Sequence, residues 1–400
     1  MTVWMKKLLI TIFFVCYCIS CGTASVKVKV NGSIDTQIVN TKRKGNFKNL
    51  SDYKKVHNSN IITDAYLKLN INFIDNDLKY GAMIKLNANT SKSKKEIFTN
   101  SKSNFAEQNM IYLENGYGRI EIGSYTGISN AMKINASTLA SATGGINGDS
   151  QYYWSKPIFP NLKNIMFLRT PNLPTNELNT VGINGVNATK INYYTPEFSG
   201  FRAGISYTPN SKIYGKIEPT NNVCESECKS EDGFKNIIET GLSYTGEVNN
   251  IGIKLSAVSE FGKNKKSTNK NLNAWDIGMN ISYQGVIIGV SYGSWNKYNV
   301  LKAYNDQYAK TNYWTAGIGY EYGPISTSIT HLQSKMGITA NNKANTLRNT
   351  VFGIDYKIAS GLLSYLECAS FKTKDKSSIE RKDNNSDKGY IFMIGMNLKF

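Results

Sequence analysis

The last twelve residues, Gly389 to Phe400, place an apolar side chain at every second position. This series includes Tyr390 and Ile394, and the alternate positions hold a more mixed set of residues. Strict alternation with a period of two predicts a β-strand with one apolar and one mixed face. A strand of this length, at ~3.3 Å per residue and tilted by ~45°, crosses the roughly 25 Å apolar band of an outer membrane. Aromatic residues at both ends match the interfacial girdles of a membrane β-barrel.

The N-terminus has the pattern of an export signal. Two early lysines precede the apolar stretch Leu8–Ile19, and the small residues Gly22–Ala24 form a cleavage site. We therefore expect a signal peptide over residues 1–24 and a mature chain, residues 25–400, that begins near Ser25 and forms one barrel domain. Acylation at Cys21 is the alternative. No later segment has the ~18 consecutive apolar residues of a spanning helix.

The cysteines of the mature chain offer little chemistry. Cys224 and Cys228 lie close together in a polar, Glu-rich stretch, so we predict a loop disulfide in an oxidising compartment. A metal clip is the alternative there, although no histidine lies nearby. Cys368 lies in a strand-like segment, where we expect it to pack as a small apolar residue.

Alternating segments bounded by turn residues recur along the whole mature chain. We count sixteen of them, an even number, and predict that each is a strand. The predicted strands are Val26–Asn40, Ile61–Ile74, Leu78–Thr90, Phe105–Asn115, Tyr117–Tyr125, Asn187–Thr195, Gly200–Pro209, Lys235–Glu247, Asn250–Phe261, Asn271–Gln284, Gly285–Asn296, Tyr308–Tyr322, Gly323–Lys335, Leu347–Lys357, Gly361–Lys372 and Lys388–Phe400.

The connections between these segments alternate in length. Short turns such as Asp75–Asp77 predict tight hairpins, whereas polar stretches such as Lys263–Lys270 and Thr373–Asp387 are longer. Short turns on one side and long loops on the other are typical of a membrane barrel with periplasmic turns and external loops. A soluble β-sandwich or β-helix is the alternative, but it requires neither this rhythm nor terminal aromatics.

The residue content argues against other classes of function. His57 and His331 are the only histidines, so a zinc site or a Ser-His hydrolase is poorly supplied, and we expect no catalytic residues, no metal and no cofactor. The formal net charge is +18. Because the basic residues are spread over strands and loops rather than clustered with aromatics, we also expect no nucleic-acid partner.

Four segments together resemble the Gram-negative general porins. They match, in the family's order, the hairpin before the constriction loop, a hairpin with the pattern Tyr, two residues, Pro, three residues, Gly-Phe, then the penultimate hairpin and the terminal strand. The segments are YLENGYGRIEIGSYTG (Tyr112–Gly127), INYYTPEFSGFRAGISYTP (Ile191–Pro209), FGIDYKIASGLLSYLECASF (Phe352–Phe371) and the strand that ends in Phe400. Each motif is weak alone, but their order and spacing are fairly specific.

The resemblance implies an all-β fold, a 16-stranded antiparallel transmembrane β-barrel with a long constriction loop after strand 5. The loop corresponds to Thr126–Val186 and is longer than the family usually shows. The family also implies a water-filled channel for small hydrophilic solutes and ions, a homotrimer in the outer membrane, and a barrel assembly machinery that reads Phe400. A surface adhesin or structural antigen, with the barrel as a pedestal for the loops, is the alternative function.

Once the apolar residues are assigned to the outer face, the alternate positions point into the lumen. On the early strands these positions hold Lys27, Lys29, Lys68, Lys85, Arg119, Glu121, Lys190 and Arg202. The long loop offers only Asp149 and Glu177 as acids. A basic wall without an acidic counterpart predicts a constriction with a mild preference for anions. The alternative is that the lysines contact outer-membrane lipid and lipopolysaccharide phosphates at the membrane interfaces.

Overall fold

Sixteen antiparallel strands form a closed barrel in the computed structural model. The structure describes residues 25–45, 59–89, 105–136, 139–155, 167–176, 188–211, 233–337, 343–376 and 385–400. Each strand pairs with its neighbours in sequence, and β16 closes the barrel against β1. The predicted fold class, strand number and all-antiparallel pairing are therefore confirmed.

The strand bounds follow the predicted segments closely. The strands are β1 (Ser25–Gly45), β2 (Ser59–Asp75), β3 (Leu78–Asn87), β4 (Ala106–Asn115), β5 (Gly118–Ser124), β6 (Thr189–Tyr194), β7 (Phe201–Asn210), β8 (Phe234–Val248), β9 (Ile251–Asn264), β10 (Leu272–Tyr283), β11 (Val286–Asn296), β12 (Thr311–Tyr322), β13 (Ile325–Met336), β14 (Asn345–Ala359), β15 (Leu362–Asp375) and β16 (Asn385–Lys399). Two short helices, α1 (Ile128–Ala131) and α2 (Ser150–Ser155), and the 3-10 turn Gly145–Asn147 lie in the segment after β5, and a second 3-10 segment, Lys302–Gln307, follows β11.

Alternation along each strand separates a lipid face from a lumen face. On β16, Ile394 is 55% exposed on the outer surface, whereas Ile391 on the inner surface is fully buried. Apolar residues cover the outer surface because lipid replaces water there, and the polar partners of the alternation face inward. None of the helices in the described ranges is long and apolar enough to cross a membrane.

The short connections use residues that tolerate a left-handed backbone. Asn249 and Asn250 both have positive φ, as do Gln284 and Gly285. Two successive positive φ values fit the type I′ hairpin, whose twist matches that of the flanking strands. These turns all lie at one end of the barrel, so we place that end at the periplasm and the long connections outside.

The strands are tilted, as a closed barrel requires. The line of paired residues that leaves β1 at Ser25 passes through every strand and returns to β1 at Gly45. Such an offset is the stagger that tilts strands relative to the barrel axis. A hydrogen-bonded row therefore descends from the external side at β16 towards the periplasmic side at β2.

The C-terminal residue closes the seam of the barrel. The Phe400 nitrogen donates to the Gly32 carbonyl over 3.1 Å, and the Gly32 nitrogen donates to the Phe400 carbonyl over 2.8 Å. The terminal strand pairs with both β15 and β1 and so forms the seam of the barrel.

The predicted loop disulfide and one of the two loop acids cannot be located in the structure. Cys224, Cys228 and Glu177 lie outside the described residues. Cys368 is a free thiol on β15, where it pairs with the outward-facing Phe352 and so faces the lipid side.

Candidate functional site

The long connection after β5 folds into the lumen at its very start. Asn192 on β6 donates to the Thr126 carbonyl over 2.9 Å, and the Lys190 ammonium donates to the Tyr125 carbonyl over 2.7 Å. Helix α1 then packs on β7, β8 and β9, with Ile128 fully buried. These contacts turn the chain inward instead of out from the external rim.

Two carboxylates on adjacent strands hold the beginning of this loop. The Ser129 hydroxyl lies 2.7 Å from Glu239 and 2.6 Å from Glu260, and the Ser129 nitrogen donates to Glu239 over 3.0 Å. Glu239 and Glu260 are neighbours across β8 and β9 and are almost completely buried. Lys190 lies close enough to interact electrostatically with both of them, which offsets part of the buried negative charge.

Beyond α1 the loop follows the inner wall towards β14. The Ile134 nitrogen donates to the Ser256 hydroxyl over 2.8 Å, and its carbonyl oxygen faces Gly278. A Cβ atom at Gly278 would lie 1.7 Å from that oxygen, so only glycine lets the loop backbone lie so close to the wall. Gly241 lies beneath α1, where a Cβ atom would lie 2.9 Å from the Ile128 side chain, so glycine makes room for that side chain.

Two further carboxylates fix the middle of the loop. Asp355 on β14 accepts hydrogen bonds from the Ser141 and Ala142 nitrogens over 2.9 and 3.2 Å. Glu367 on β15 is almost fully buried and accepts from the Thr143 hydroxyl. Such hydrogen bonds contribute about 0.5–1.5 kcal/mol each, and more where the carboxylate is charged. The acids of these strands therefore serve as docking points for the loop.

The loop reaches β1 at helix α2. Gln37 on β1 donates to Asp149 over 3.2 Å and to the Tyr153 hydroxyl over 2.9 Å. Burial raises the pKa of the Tyr153 phenol, and the charge of Asp149 raises it further. The phenol is thus neutral at physiological pH. The tip of the loop is held by a polar network on β1.

The next described part of the loop, residues 167–176, runs back over the outgoing part near α1. The Leu168 carbonyl accepts from Ser334 on β13 over 2.7 Å, and the Asn172 carbonyl accepts from the Trp295 indole over 2.9 Å. Thr175 then donates to Glu260 through its nitrogen, over 3.1 Å, and through its hydroxyl, over 2.5 Å. Glu260 consequently binds both the outgoing and the returning pass of the loop.

The loop contacts one side of the lumen, formed by β8 to β15, which we call the covered wall. We call the side formed by β2 and β3 the open wall. The carboxylates of β8, β9, β14 and β15 lie beneath the loop and accept its hydrogen bonds. On β2 and β3, Lys68 and Lys85 are cross-strand neighbours and remain half-buried. Lys85 pairs with Glu107 over 2.9 Å and lies 4.7 Å from the centre of the Tyr66 ring.

Two arginines lie closer to the periplasmic mouth. Arg119 pairs with Glu114 and Glu121 over 2.9 and 2.8 Å and stacks 4.1 Å from the Tyr112 ring. Arg202 lies 4.8 Å from the centre of the Tyr194 ring and donates to the Thr195 carbonyl. Both arginines are only a few residues from the short turns. They therefore lie near the end of the barrel that carries the short turns.

The structure does not bring all the predicted lining residues together. Lys68 and Lys85 face the open lumen beside the loop, and Asp149 lies at the loop tip. Lys190 is only 2% exposed and Glu121 only 6%, because the loop root and the Arg119 side chain cover them. These two side chains therefore have little surface in the lumen, and Lys190 instead holds the start of the loop through its hydrogen bond to Tyr125.

Five acids of the covered wall were missed from sequence. They are Glu239, Glu260, Asp276, Asp355 and Glu367, all on the lumen face of their strands. Their inward phase was readable from the alternation, because each follows or precedes an outward apolar residue. The sequence did not show which loop residues they bind, because an irregular loop has no periodic pattern.

Comparisons with known proteins agree with this geometry. A family model described as Gram-negative porin matches residues 15–376. A protein of Rickettsia bellii (strain RML369-C) is 28% identical, over 96% of this chain and 94% of its own length. A protein of Rickettsia felis (strain ATCC VR-1525 / URRWXCal2) is 27% identical, over 99% of this chain and 100% of its own length.

Solved structures share the architecture at low sequence identity. The anion-selective porin from Comamonas acidovorans has a TM-score of 0.57 at 14% identity, covering 94% of this chain and 100% of that chain. The trimer form of in-vitro folded OmpT, an outer membrane protein of Vibrio cholerae, has a TM-score of 0.58 at 10% identity, with the same coverage. At such identities the similarity shows the fold alone.

Proposed function

The chain belongs to the Gram-negative porin family and is an outer-membrane channel, and we propose that it passes small hydrophilic solutes and ions passively, with a preference for anions. Solutes would pass between the described, inward-folded parts of the loop, residues 126–136, 139–155 and 167–176, and the wall formed by β2 and β3. Size is limited by the loop, and charge is read by the wall that faces it.

The burial of the lumenal carboxylates is the observation that supports anion preference. Glu239, Glu260 and Glu367 are buried beneath the loop, each with hydrogen-bond donors from it. Lys68, in contrast, has no acidic partner within ion-pairing distance in the part of the chain that the structure describes. Lys68 therefore contributes a positive charge beside the loop that would attract anions into the aperture.

Replacing Lys68 by glutamate tests this proposal. We expect the anion-to-cation permeability ratio to fall severalfold, since reversing a charge about 7 Å from a passing ion changes its energy by about 1 kcal/mol in water. The measurement is the reversal potential in planar bilayers under a salt gradient. The matched control is Lys263→Glu, which makes the same charge change on the outer face of β9. Cation selectivity of the unmodified channel would contradict the proposal outright.

Two other functions remain distinguishable by the same recordings. A pedestal for adhesive or antigenic loops predicts no discrete openings in planar bilayers. A substrate-specific channel predicts a flux that saturates and a solute that blocks the conductance. The space between the loop and the open wall of β2 and β3 favours diffusion. We therefore expect discrete openings whose conductance rises in proportion to bulk salt.

The assembled form is expected to contain three mature copies, each without residues 1–24. The outer face of β2 to β5 supports a subunit contact there, because it forms an apolar groove of about 620 Å³ that includes Phe73, Ala82 and Ile120. Mass spectrometry of protein extracted from cells, under native and denaturing conditions, measures the number of subunits and the start of the mature chain. A denatured mass that matches a start at Ser25, and a native mass of three such chains, are the expected results. A denatured mass that matches an acylated chain beginning at Cys21 would contradict the start at Ser25. A native mass of one chain would contradict the trimer.

A further inference from the structure

The root of the constriction loop contains more short oxygen contacts than its hydroxyl groups have hydrogens. Four oxygens form a chain there: Glu239 Oε2, Ser129 Oγ, Glu260 Oε1 and Thr175 Oγ1. The three distances along this chain are 2.7, 2.6 and 2.5 Å. Each distance is that of an O–H···O hydrogen bond, which needs one hydrogen. The two hydroxyl groups bring one hydrogen each, so the third contact needs a hydrogen from another source.

The amide groups nearby do not supply this hydrogen. The Ser129 nitrogen donates to Glu239 over 3.0 Å and the Thr175 nitrogen donates to Glu260 over 3.1 Å, so each has a contact of its own. The Asn176 amide donates to Ser129 Oγ over 3.3 Å and so occupies an acceptor position there. Ionised carboxylates are acceptors only. One carboxyl group must therefore carry a proton for all three short contacts to be hydrogen bonds.

The charges around the two acids lead to the same count. Glu239 and Glu260 are cross-strand neighbours on β8 and β9 and are 1% and 0% exposed. Like charges at such positions repel, because their Cβ atoms are only about 4.5–5.5 Å apart. Lys190 on β6 is buried within electrostatic reach of both carboxyl groups. One proton and one ammonium balance two carboxylates, whereas the ammonium alone leaves a net negative charge out of water, which is costly.

The other elements packed around the two acids do not replace this proton. The residues paired with the acids on β7 and β10 are Ser206 and Ala274, and neither of them titrates. Tyr298, which follows β11, lies near the carboxyl group on β9, and burial raises the pKa of its phenol, so the phenol is uncharged. Lys133 in the loop lies near Asp276 on β10 instead.

The proton would hold both passes of the loop on the wall. Ser129 belongs to the outgoing pass at α1, and Thr175 belongs to the returning pass. Loss of the proton removes one of the three short hydrogen bonds and leaves two negative charges opposite each other. Movement of the loop away from the wall admits water to the carboxylates and relieves both costs. The docked loop thus binds one proton more than the released loop, so docking weakens as the pH rises, by at most about tenfold per pH unit.

We propose that Glu239 and Glu260 share one proton and form a pH-sensitive switch that holds the constriction loop. While the proton is bound, both passes of the loop stay docked on β8 and β9. When a higher pH removes the proton, the root of the loop loosens and the aperture widens. This inference rests on the proposed function, because it describes how the passage for solutes changes with pH.

The test is the swelling of liposomes in a sugar that the unmodified channel admits slowly, at about pH 6 and about pH 9, below the range in which free tyrosine and lysine titrate. We expect severalfold faster swelling at the higher pH for the unmodified channel. Glu239→Gln removes one acid and leaves Lys190 in place, so its rate should be the same at both pH values. The matched control is Asp355→Asn, because the two loop contacts of Asp355 are with backbone nitrogens that bring their own hydrogens. This control should respond to pH as the unmodified channel does.

Infrared difference spectra of the folded barrel between the same pH values provide a second measurement. A protonated carboxyl group has its own C=O stretching band. We expect part of this band to be lost at the higher pH in the unmodified protein and in Asp355→Asn, and a smaller loss in Glu239→Gln. The shift of the barrel on unheated gels confirms that each variant is folded.

Two results would overturn the switch while leaving the channel intact. One is equal swelling of the unmodified channel at both pH values. The other is a response of Glu239→Gln, in swelling or in the infrared band, as large as that of the unmodified protein. Liposomes that swell in no small sugar at either pH would instead overturn the proposed function, and the switch with it.

Discussion

Deleting Phe400 is expected to lower the yield of folded barrel in the outer membrane severalfold or more. The deletion removes two backbone hydrogen bonds to Gly32, each contributing about 0.5–1.5 kcal/mol, and it exposes the edge of β1 at the seam. A loss of stability of this size changes the abundance of a protein severalfold. We also infer that the terminal aromatic is recognised by the barrel assembly machinery, which adds to the loss. The measurement is the amount of heat-modifiable protein in outer-membrane fractions.

A substitution at Gly32 separates recognition from packing. The Phe400 ring lies over Gly32, and a Cβ atom there would lie 2.4 Å from the ring Cζ atom. Gly32→Leu therefore displaces the ring but leaves the terminal sequence intact. We expect this variant to be assembled and to unfold at a lower temperature. A yield as low as that of the deletion would contradict recognition of Phe400, and an unchanged yield in the deletion would contradict both roles.

The alternation predicted the strands well because the membrane imposes it. On β16, the apolar series from Tyr390 to Leu398 faces outward as expected. The end of β1 was missed, because the strand continues to Gly45 and not only to Asn40. Its outward positions there are Lys42 and Lys44, which lie beyond the apolar band and so lack the contrast on which the prediction depended.

The site was less predictable, because it depends on contacts between distant residues. The inward phase of Lys190 was correct, but its burial results from the root of the loop lying over it. Glu260 could be assigned to the lumen face from its strand, yet its partners Ser129 and Thr175 lie in an irregular segment. Such pairings are set by tertiary packing, and no local period of the sequence encodes them.

Replacing Glu260 by alanine is expected to release the root of the constriction loop and widen the channel. Glu260 accepts hydrogen bonds from Ser129 and, twice, from Thr175, so it joins both passes of the loop to β9. The substitution removes all three hydrogen bonds, at about 0.5–1.5 kcal/mol each and more where the carboxylate is charged. The ladder of the barrel does not involve this side chain, so the barrel should remain folded.

The expected result is a severalfold faster swelling of liposomes in sugars that the unmodified channel excludes, with noisier single-channel currents. Glu260→Gln keeps one of the two acceptor oxygens for the loop, so it should fall between the unmodified protein and Glu260→Ala. Glu197→Ala, which removes an exposed acid from the short turn between β6 and β7, is the matched control and should behave as the unmodified channel. If Glu260→Ala kept the original size limit, the loop would be held mainly by the glycine-lined wall at Gly241 and Gly278, and the carboxylates would be secondary.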